Sequence, residues 1–239
     1  MKNLIIKIKR KENVFFRLIY NLLWSIIRFS VPVNKITKPI FTLLYYVHIL
    51  LKNLIRYCLK CLYFEPLFKS QCREVGSNFL MEKMPYIVGF GDIFLGDNVS
   101  FSGKIDISFN NRINARPCLR VGNNSYIANN AIFGIADSIT IGKYCLIGGG
   151  TFIDNDGHPL DYKQREKNLP VERSQIRSIE IGNHVWIGNN TIILKGVRIG
   201  DRAIIGVGSV VTHDVPSDCV YAGNPARLVK KIENFQDAK

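Results

Sequence analysis

Four histidines and six cysteines are the side chains of this 239-residue chain that suit proton transfer, nucleophilic attack or metal binding. Imidazole is the group that exchanges a proton most readily near neutral pH. His158, His184 and His213 fall in the second half of the chain and lie far apart in the sequence. Because none belongs to a closely spaced pair, the histidines favour acid–base chemistry over a metal site.

The motif Cys58-x-x-Cys61, with Cys72 nearby, is the cysteine pattern closest to a zinc or redox site. No second CxxC or histidine pair completes a tetrahedral set, and no strand precedes the motif as a thioredoxin-like site requires. Two thiols one turn apart on an apolar helix more often pack than react. Six cysteines in a chain of this length, with no secretory signal, indicate free thiols in a reducing compartment.

An apolar residue recurs at every sixth position in the second half of the chain, and this period identifies the elements that must position the histidines. The in-phase residues are Val121, Ile127, Phe133, Ile141, Ile147, Ile153, Ile181, Ile187, Ile193, Ile199, Ile205 and Val211. Glycine follows eight of these twelve, and we expect it to permit the backbone angles of sharp corners. The spacing predicts a prism of short flat strands that begins near Tyr86–Ile93, with the apolar residues at its axis.

Residues 1–75 form a basic and apolar segment distinct from the repeat. They carry 14 of the 32 Lys and Arg but only three of the 19 Asp and Glu, so most of the net charge of +13 lies there. Neither of its two apolar runs reaches the about 20 residues that span a bilayer. Two helices with a basic stripe opposite a broad apolar face are typical of a membrane interface. A helical hairpin that packs on the body or between subunits is the alternative.

The segment from Ile181 to Ile232 contains the most specific motifs, WIGNN at 186–190 and AGNPARLVKKI at 222–232. With the repeat, these motifs resemble the hexapeptide-repeat acyltransferases over roughly Leu95 to Ile232, and the maltose and galactoside O-acetyltransferase branch most closely. Relatives that modify surface polysaccharides often carry an extra N-terminal segment. The resemblance therefore favours a polysaccharide O-acetyltransferase.

This resemblance implies an all-β solenoid, a left-handed parallel β-helix, which departs from the usual right-handed crossover. It also implies a homotrimer that holds acetyl-CoA, the acyl donor, in the cleft between neighbouring prisms, with direct transfer to a hydroxyl and no metal. We predict three parts: a basic amphipathic helical segment over residues 1–75, the β-helix domain over 76–226 with a loop at 154–178, and a short helical tail over 227–239.

His158 is the candidate catalytic residue because it matches the GHP form of the family's catalytic loop, where the repeat breaks after Ile153. A sugar hydroxyl is a poor nucleophile at neutral pH, so its attack on a thioester needs a base such as imidazole. By resemblance, the backbone N–H of Asn189 is the donor that stabilises the oxyanion. A solvated loop histidine is the alternative for His158.

The resemblance also places residues around the acyl donor and the acceptor. The candidates for coenzyme A contacts are Trp186, Asn189, Val207, Thr212, His213, Arg227 and Lys230. The candidates for acceptor contacts are Asn129, Asp137, Asp154 and Asp156. For Arg227 and Lys230 an ordinary solvated basic tail is the alternative, and for the two loop aspartates it is loop solvation. Basic residues over Asp161–Arg177 would suit an acidic or lipid-linked acceptor.

The sequence is compatible with more than one function. The leading interpretation is an acetyl-CoA-dependent O-acetyltransferase of a saccharide, cytoplasmic and peripheral on the inner face of the cytoplasmic membrane. The alternatives are N-acetylation of an amino sugar and a non-catalytic β-helix scaffold recruited to membranes. A zinc carbonic anhydrase on this fold would need closely spaced histidines. Nucleic-acid binding is disfavoured because the charge lies on apolar-faced helices without a stacking platform.

Overall fold

In the structure, the six-residue period forms three strands per coil. The structure is a computed structural model that describes residues 2–232, apart from the side chain of Asn3. The strands are, in chain order, β1 Glu74–Val75, β2 Leu80–Met81, β3 Tyr86–Val88, β4 Asp92–Leu95, β5 Ser100–Phe101, β6 Ile105–Phe109, β7 Cys118–Val121, β8 Tyr126–Ile127, β9 Ala131–Ile135, β10 Ser138–Ile141, β11 Leu146–Ile147, β12 Gly150–Ile153, β13 Ile179–Ile181, β14 Trp186–Ile187, β15 Thr191–Ile193, β16 Arg198–Ile199, β17 Ile204–Ile205, β18 Val210–Val211, β19 Cys219–Ala222 and β20 Arg227–Lys231.

From β1 to β18, successive strands pass through three sheets in turn, so that each of these coils contributes one strand to each sheet. Sheet A contains β1, β4, β7, β10, β13 and β16; sheet B contains β2, β5, β8, β11, β14, β17, β19 and β20; sheet C contains β3, β6, β9, β12, β15 and β18. Every pairing except β19 with β20 is parallel. The register places equivalent residues of successive coils side by side, since Ile147 pairs with Ile127 of the preceding coil and Ile187 of the next. This arrangement is a parallel β-helix and fits the left-handed form that the family resemblance implies.

The predicted axial residues form the core, with one exception. Eleven of the twelve in-phase residues are buried, whereas Ile153 is only half-buried. Phe152 takes its place, pairs in register with Phe133 and stacks on that ring at 5.0 Å. The prediction for Ile153 was wrong because the strand before the loop is one residue out of phase with the hexapeptide count.

The in-phase glycines serve close packing and not the corner angles that we expected of them. None of the eight has a positive φ. The left-handed corner between sheets A and B is instead formed by one residue per coil, at Asn78, Asn98, Asn124, Tyr144, His184, Arg202 and Asp218. At Gly142, a Cβ atom would lie 2.6 Å from the carbonyl carbon of Gly182 in the next coil. Glycine is therefore required there because stacked coils approach too closely for a side chain.

The solenoid begins earlier in the chain than its repeat suggests. β1 starts at Glu74, ahead of the expected Tyr86–Ile93, because the first coils use aromatic and polar residues in place of the Ile-Gly pattern. A short helix, α4 (Glu65–Lys69), precedes β1 and buries Phe68 completely. The Phe68 ring lies 5.6 Å from that of Phe79 and 6.0 Å from that of Phe101. This helix therefore caps the open end of the core.

The C-terminal tail is a strand where we predicted a helix. Residues 227–231 form β20, which pairs antiparallel with β19 at the end of sheet B. The edge of β19 has free backbone N–H and C=O groups, and residues 227–231 form a strand because they hydrogen-bond to these groups. The remainder of the predicted helical tail, residues 233–239, lies outside the described part of the chain.

Residues up to Ile55 form a second compact unit, which contains three helices: α1 (Lys2–Arg10), α2 (Val14–Arg28) and most of α3 (Thr37–Leu59). A π-helical turn, Lys60–Phe64, follows α3 and leads to α4. α2 begins where Asn13 Oδ1 accepts the backbone N–H of Phe16 at 2.9 Å. Neither α2 nor α3 contains a buried residue. Within residues 2–232, no helix combines the length and hydropathy needed to cross a bilayer.

Candidate functional site

His158 lies in a tight turn that follows β12 at the edge between sheets C and A. The backbone N–H of His158 donates to the carbonyl of Asp156 at 2.8 Å, and that of Gly157 donates to Asn155 Oδ1 at 2.8 Å. Gly157 has a φ of +74°, which glycine adopts without strain. The turn exposes the His158 side chain, while Pro159 behind it is buried. An exposed imidazole on an ordered turn can reach a bound hydroxyl.

Asp154 anchors the start of this loop. Its side chain is fully buried, and its two oxygens accept the backbone N–H groups of Ala136 and Asp137, each at 2.7 Å. Burial raises the pKa of Asp154, while the hydrogen bonds from Asn155, Ala136 and Asp137 oppose that rise. Both oxygens are thus committed to the fold, so Asp154 holds the loop and does not face an acceptor.

Asp156 is connected to the next coil. Lys195 Nζ lies 2.5 Å from Asp156 Oδ2, and Gln175 Nε2 donates to the same oxygen at 3.2 Å. Lys195 Nζ also donates to the backbone carbonyl of Gln175 at 3.2 Å. Lys195 follows β15, so one side chain ties both ends of the loop to the solenoid. Asp156 therefore holds the turn that carries His158.

Asp137 fastens the far end of the loop. Ser178 Oγ donates to Asp137 Oδ2 at 2.7 Å, and Arg173 Nη2 donates to Oδ1 at 2.9 Å. The hydrogen bond from Ser178, followed by the bond and charge of Arg173, lowers the pKa of Asp137 despite its partial burial. Arg112 reaches across from the preceding coil and donates to the carbonyl and side chain of Asn168. The long loop, which follows β12, is thus attached to three other coils, through residues that follow β6, β9 and β15.

Asn189 offers a backbone donor that the fold leaves free. At this corner, the N–H of Gly149 donates to Asn189 Oδ1 at 3.0 Å. The register of β14 with β17 places Val207 at the matching position of the next coil, and valine has no acceptor. Within residues 2–232, the N–H of Asn189 has no hydrogen-bond acceptor. A free and fixed N–H beside an exposed surface is what an oxyanion needs.

The other candidates lie on two edges of the prism. Trp186, on the outer face of sheet B, is 55% exposed, and Val207, at the edge between sheets B and C, is 72% exposed. Asn129 occupies that same edge one coil before Gly149, with its Oδ1 accepting the N–H of Lys104 at 2.7 Å. Thr212 follows β18 at the edge between sheets C and A, where its Oγ1 lies 2.7 Å from His213 Nδ1.

The structure thus brings the predicted residues together as two groups. Asp137, Asp154, Asp156, His158, Thr212 and His213 belong to the edge between sheets C and A, whereas Asn129, Asn189 and Val207 belong to the edge between sheets B and C. Arg227 and Lys230 are exposed on β20, at the end of sheet B. Because different edges of one prism face in different directions, His158 and the free N–H of Asn189 do not converge within a single chain.

Sequence reasoning missed the residues that hold the loop. Lys195, Gln175 and Ser178 had no role in the prediction, and no local motif marks them because their partners lie 19 to 41 residues away. The turn at Asn155 had a recognisable signal, since Asn followed two residues later by Gly is typical of an Asx turn. His184 is explained by its corner position and by stacking on Tyr144 at 4.9 Å.

The cysteines do not assemble into a site. Cys58 and Cys61 are exposed, whereas burial raises the pKa of the Cys72 thiol to about 12. Among the residues that the structure describes, no three His, Cys, Asp or Glu side chains are grouped to hold a metal ion.

Comparison with known proteins agrees with this architecture. Residues 178–213 match the bacterial transferase hexapeptide family model of six repeats. Galactoside O-acetyltransferase of Escherichia coli is 32% identical over 140 residues, which cover 59% of this chain and 64% of that protein. A putative acetyltransferase of Staphylococcus aureus is 34% identical over 138 residues, covering 58% of this chain and 64% of that protein. The chain thus spans somewhat less than two thirds of the curated relatives that it matches.

Among solved structures, a hexapeptide-repeat acetyltransferase of Vibrio cholerae in complex with acetyl coenzyme A is 26% identical, with a TM-score of 0.51. The alignment covers 71% of this chain and 76% of that one. An N-acyltransferase of Bacillus cereus aligns with a TM-score of 0.58 at 21% identity, over 71% of this chain and 89% of that one, and supports the fold alone. The coils and the family match show that residues 178–213 form part of a hexapeptide-repeat domain, and these relatives show that the chain is similar to hexapeptide-repeat acetyltransferases.

Proposed function

We propose that this chain is an acetyl-CoA-dependent O-acetyltransferase that modifies a saccharide hydroxyl, either of a surface polysaccharide or of its precursor. The observation that carries the proposal is the free N–H of Asn189, left without an acceptor because valine stands at position 207 of the next coil. Relatives that bear the same repeat are named acetyltransferases, and one was solved with acetyl coenzyme A. Acetyl-CoA supplies an activated acetyl thioester as the second substrate.

In this proposal His158 is the general base. Its imidazole accepts the proton of the acceptor hydroxyl as the oxygen bonds to the thioester carbonyl carbon. Asn189 donates its N–H to the carbonyl oxygen as negative charge develops there. The carbon–sulfur bond then breaks, and the proton passes from His158 to the departing thiolate of coenzyme A. Acetyl ester and free thiol are the products, and His158 returns to its neutral form.

We further propose that the active site forms between chains of a homotrimer. His158 and Asn189 stand at different edges of one prism, so a productive pair needs His158 of one chain and Asn189 of its neighbour. Trp186, Val207, Thr212, His213, Arg227 and Lys230 would line the coenzyme A cleft, and Asn129 and Asp156 remain candidates for the acceptor side. A threefold arrangement satisfies this need at three equal interfaces.

A peripheral contact with the inner face of the cytoplasmic membrane completes the proposal. Residues 1–55 carry ten Lys and Arg and one acid, Glu12. Large apolar side chains of α2 and α3 are exposed, among them Leu22, Leu50 and Tyr57. Basic amphipathic helices of this kind bind anionic lipid surfaces.

Acetyl transfer is tested by release of free coenzyme A thiol from acetyl-CoA with a panel of mono- and oligosaccharides, including amino sugars. We expect acceptor-dependent turnover, and the product's resistance or lability to mild base distinguishes an amide from an ester. His158→Ala should lower kcat by about 10²- to 10⁴-fold while coenzyme A binding is retained. His184→Asn is the matched control, because His184 occupies a left-handed corner that asparagine also adopts. Full activity in His158→Ala would refute the mechanism.

The intersubunit site is tested with a second inactive variant. Val207→Asn introduces an acceptor for the Asn189 N–H, as Asn189 does for Gly149. We expect kcat to fall by about 10²-fold or more, as when an oxyanion donor is lost, and Val207→Ala to fall much less. Mixed trimers of His158→Ala and Val207→Asn chains should regain part of the activity, because some interfaces then combine an intact His158 with a free Asn189 N–H. No recovery in the mixture would place the site within one chain.

A further inference from the structure

A groove between α1 and α2 is lined on both sides by apolar side chains. Its volume is about 520 Å³, within the roughly 300–1,000 Å³ of small-ligand sites. The apolar lining consists of Ile5, Ile8, Tyr20, Leu23, Trp24 and Ile27. On α2 these residues fall at helical spacing, so they form one continuous stripe. The stripe remains open to solvent, since Ile27 is 70% exposed.

One cation lines this groove, and two others lie over the rings of aromatic residues that line it. Lys11 Nζ lies 4.3 Å from the ring centre of Tyr20, and the Arg28 guanidinium lies 4.8 Å from that of Trp24. Lys9 also lines the groove. Among the ion pairs of residues 2–232, none includes any of these three cations. A site with apolar walls and a cationic rim is complementary to an amphiphile with a negatively charged head.

We propose that this groove binds an acyl chain of an anionic phospholipid at a bilayer surface, while Lys9, Lys11 and Arg28 contact its phosphate. The inference rests on the proposed membrane contact and deepens it by naming the site and the lipid class. Free phosphate would leave the apolar walls in contact with water, and a zwitterionic lipid would leave the excess positive charge unbalanced. The anionic phospholipid satisfies both features of the groove.

Trp24 provides a direct probe of the groove in the full-length chain. The chain contains two tryptophans, so Trp186→Phe leaves Trp24 as the single emitter. Vesicles of phosphatidylglycerol with brominated acyl chains should shift its emission to the blue and quench it. Phosphatidylcholine vesicles with the same brominated chains should bind at least tenfold more weakly. Inorganic phosphate should change neither position nor intensity, and a response to phosphate equal to that of the vesicles would overturn the proposal.

Two adjacent isoleucines separate binding in the groove from general adsorption of an amphipathic helix. Ile27 lines the groove and Ile26 does not, although the two are 70% and 63% exposed. Ile27→Gln should weaken binding to phosphatidylglycerol about tenfold, and Ile26→Gln less than threefold. Leu23→Gln and Leu22→Gln repeat the comparison at a second pair, with helicity checked by circular dichroism. Equal losses within both pairs would refute the groove as the site.

Two arginines of α2 make the matching comparison for charge. Arg28→Gln should weaken binding about fivefold more than Arg17→Gln, because the Arg28 guanidinium lies over the ring of Trp24, which lines the groove. Equal effects of the two substitutions would show that only overall charge matters. These measurements need no acetyl transfer. Failure of lipid binding with intact turnover overturns this inference alone, whereas lost turnover with intact lipid binding overturns the proposed chemistry alone.

Discussion

The two compact units of this chain differ in how far their apolar side chains are buried. In the β-helix, every coil covers its neighbour, and rings such as Phe133 and Phe152 are fully buried. In α2 and α3, no residue is buried, although both helices are rich in Leu, Ile and aromatic side chains. Isolated apolar residues on a surface are ordinary, but a continuous apolar face indicates a partner. The β-helix coils therefore bury their apolar residues against one another, whereas α2 and α3 leave continuous apolar faces exposed.

The test with the largest expected effect on the free energy of unfolding compares two aromatic residues, one from each unit. Phe133→Ala should lower the free energy of unfolding of the β-helix by about 3–5 kcal/mol, since it leaves a cavity against Phe152. Trp24→Ala removes a larger side chain that is 39% exposed, and should change that free energy by less than about 0.5 kcal/mol. Urea unfolding monitored by far-ultraviolet circular dichroism measures both. Comparable losses would show that the helices are part of the same cooperative unit.

A second test concerns the spacing of the coils. Gly142→Ala should cost roughly 1–3 kcal/mol, because the new methyl group would overlap the Gly182 backbone of the next coil. Gly134→Ala is the control, since its Cβ would first meet Ile153 Cγ1 at 3.4 Å, an ordinary contact. Thermal unfolding of the two variants makes the comparison. A Gly142→Ala protein as stable as the wild type would mean that the coils can separate locally to admit the methyl group.

The sequence predicted the regular part of the molecule much better than its exceptions. The six-residue period predicted the coils and most of the core, because each coil repeats the same contacts with its neighbours. It misplaced Ile153, where a loop interrupts the period. Residues 227–231 were assigned to a helix because nothing local reveals the edge of β19 to which they pair. Of the candidate site, the turn at His158 was visible in a motif, whereas Lys195 acquires its role only through folding.

A third test asks whether the ion pair between Lys195 and Asp156 holds the loop against the β-helix. Lys195→Met removes the ion pair to Asp156, and we expect kcat to fall about tenfold with little change in KM for acetyl-CoA, because the His158 turn loses its tie to the next coil. Lys195→Arg should recover most of the loss. Lys69→Met is the control, since Lys69 pairs with Glu65 at 2.8 Å on α4, the helix that precedes β1. If both Met variants lose equal activity, the effect is not specific to the loop.

The smallest expected effect concerns the acid stability of the same loop. The pKa of Asp137 is lowered in the folded chain, chiefly by Ser178 and then by Arg173. A carboxyl group of this kind stabilises the fold above its unfolded pKa, near 3.9 for aspartate, and that contribution disappears as pH falls through the lower folded value. Asp137→Asn should therefore cost about 1 kcal/mol or less at pH 7, and the difference from wild type should vanish in acid.

Glu180→Gln is the control for Asp137→Asn, because Glu180 pairs with Arg198 at 3.4 Å on an exposed face. It should show no measurable change at either pH, since exposed ion pairs contribute little. Urea unfolding at pH 7 and pH 3 distinguishes the two residues. A penalty for Asp137→Asn that persists undiminished at pH 3 would contradict the role of its charge. The loop would then be held by hydrogen-bond geometry and packing, with no contribution from the charge of Asp137.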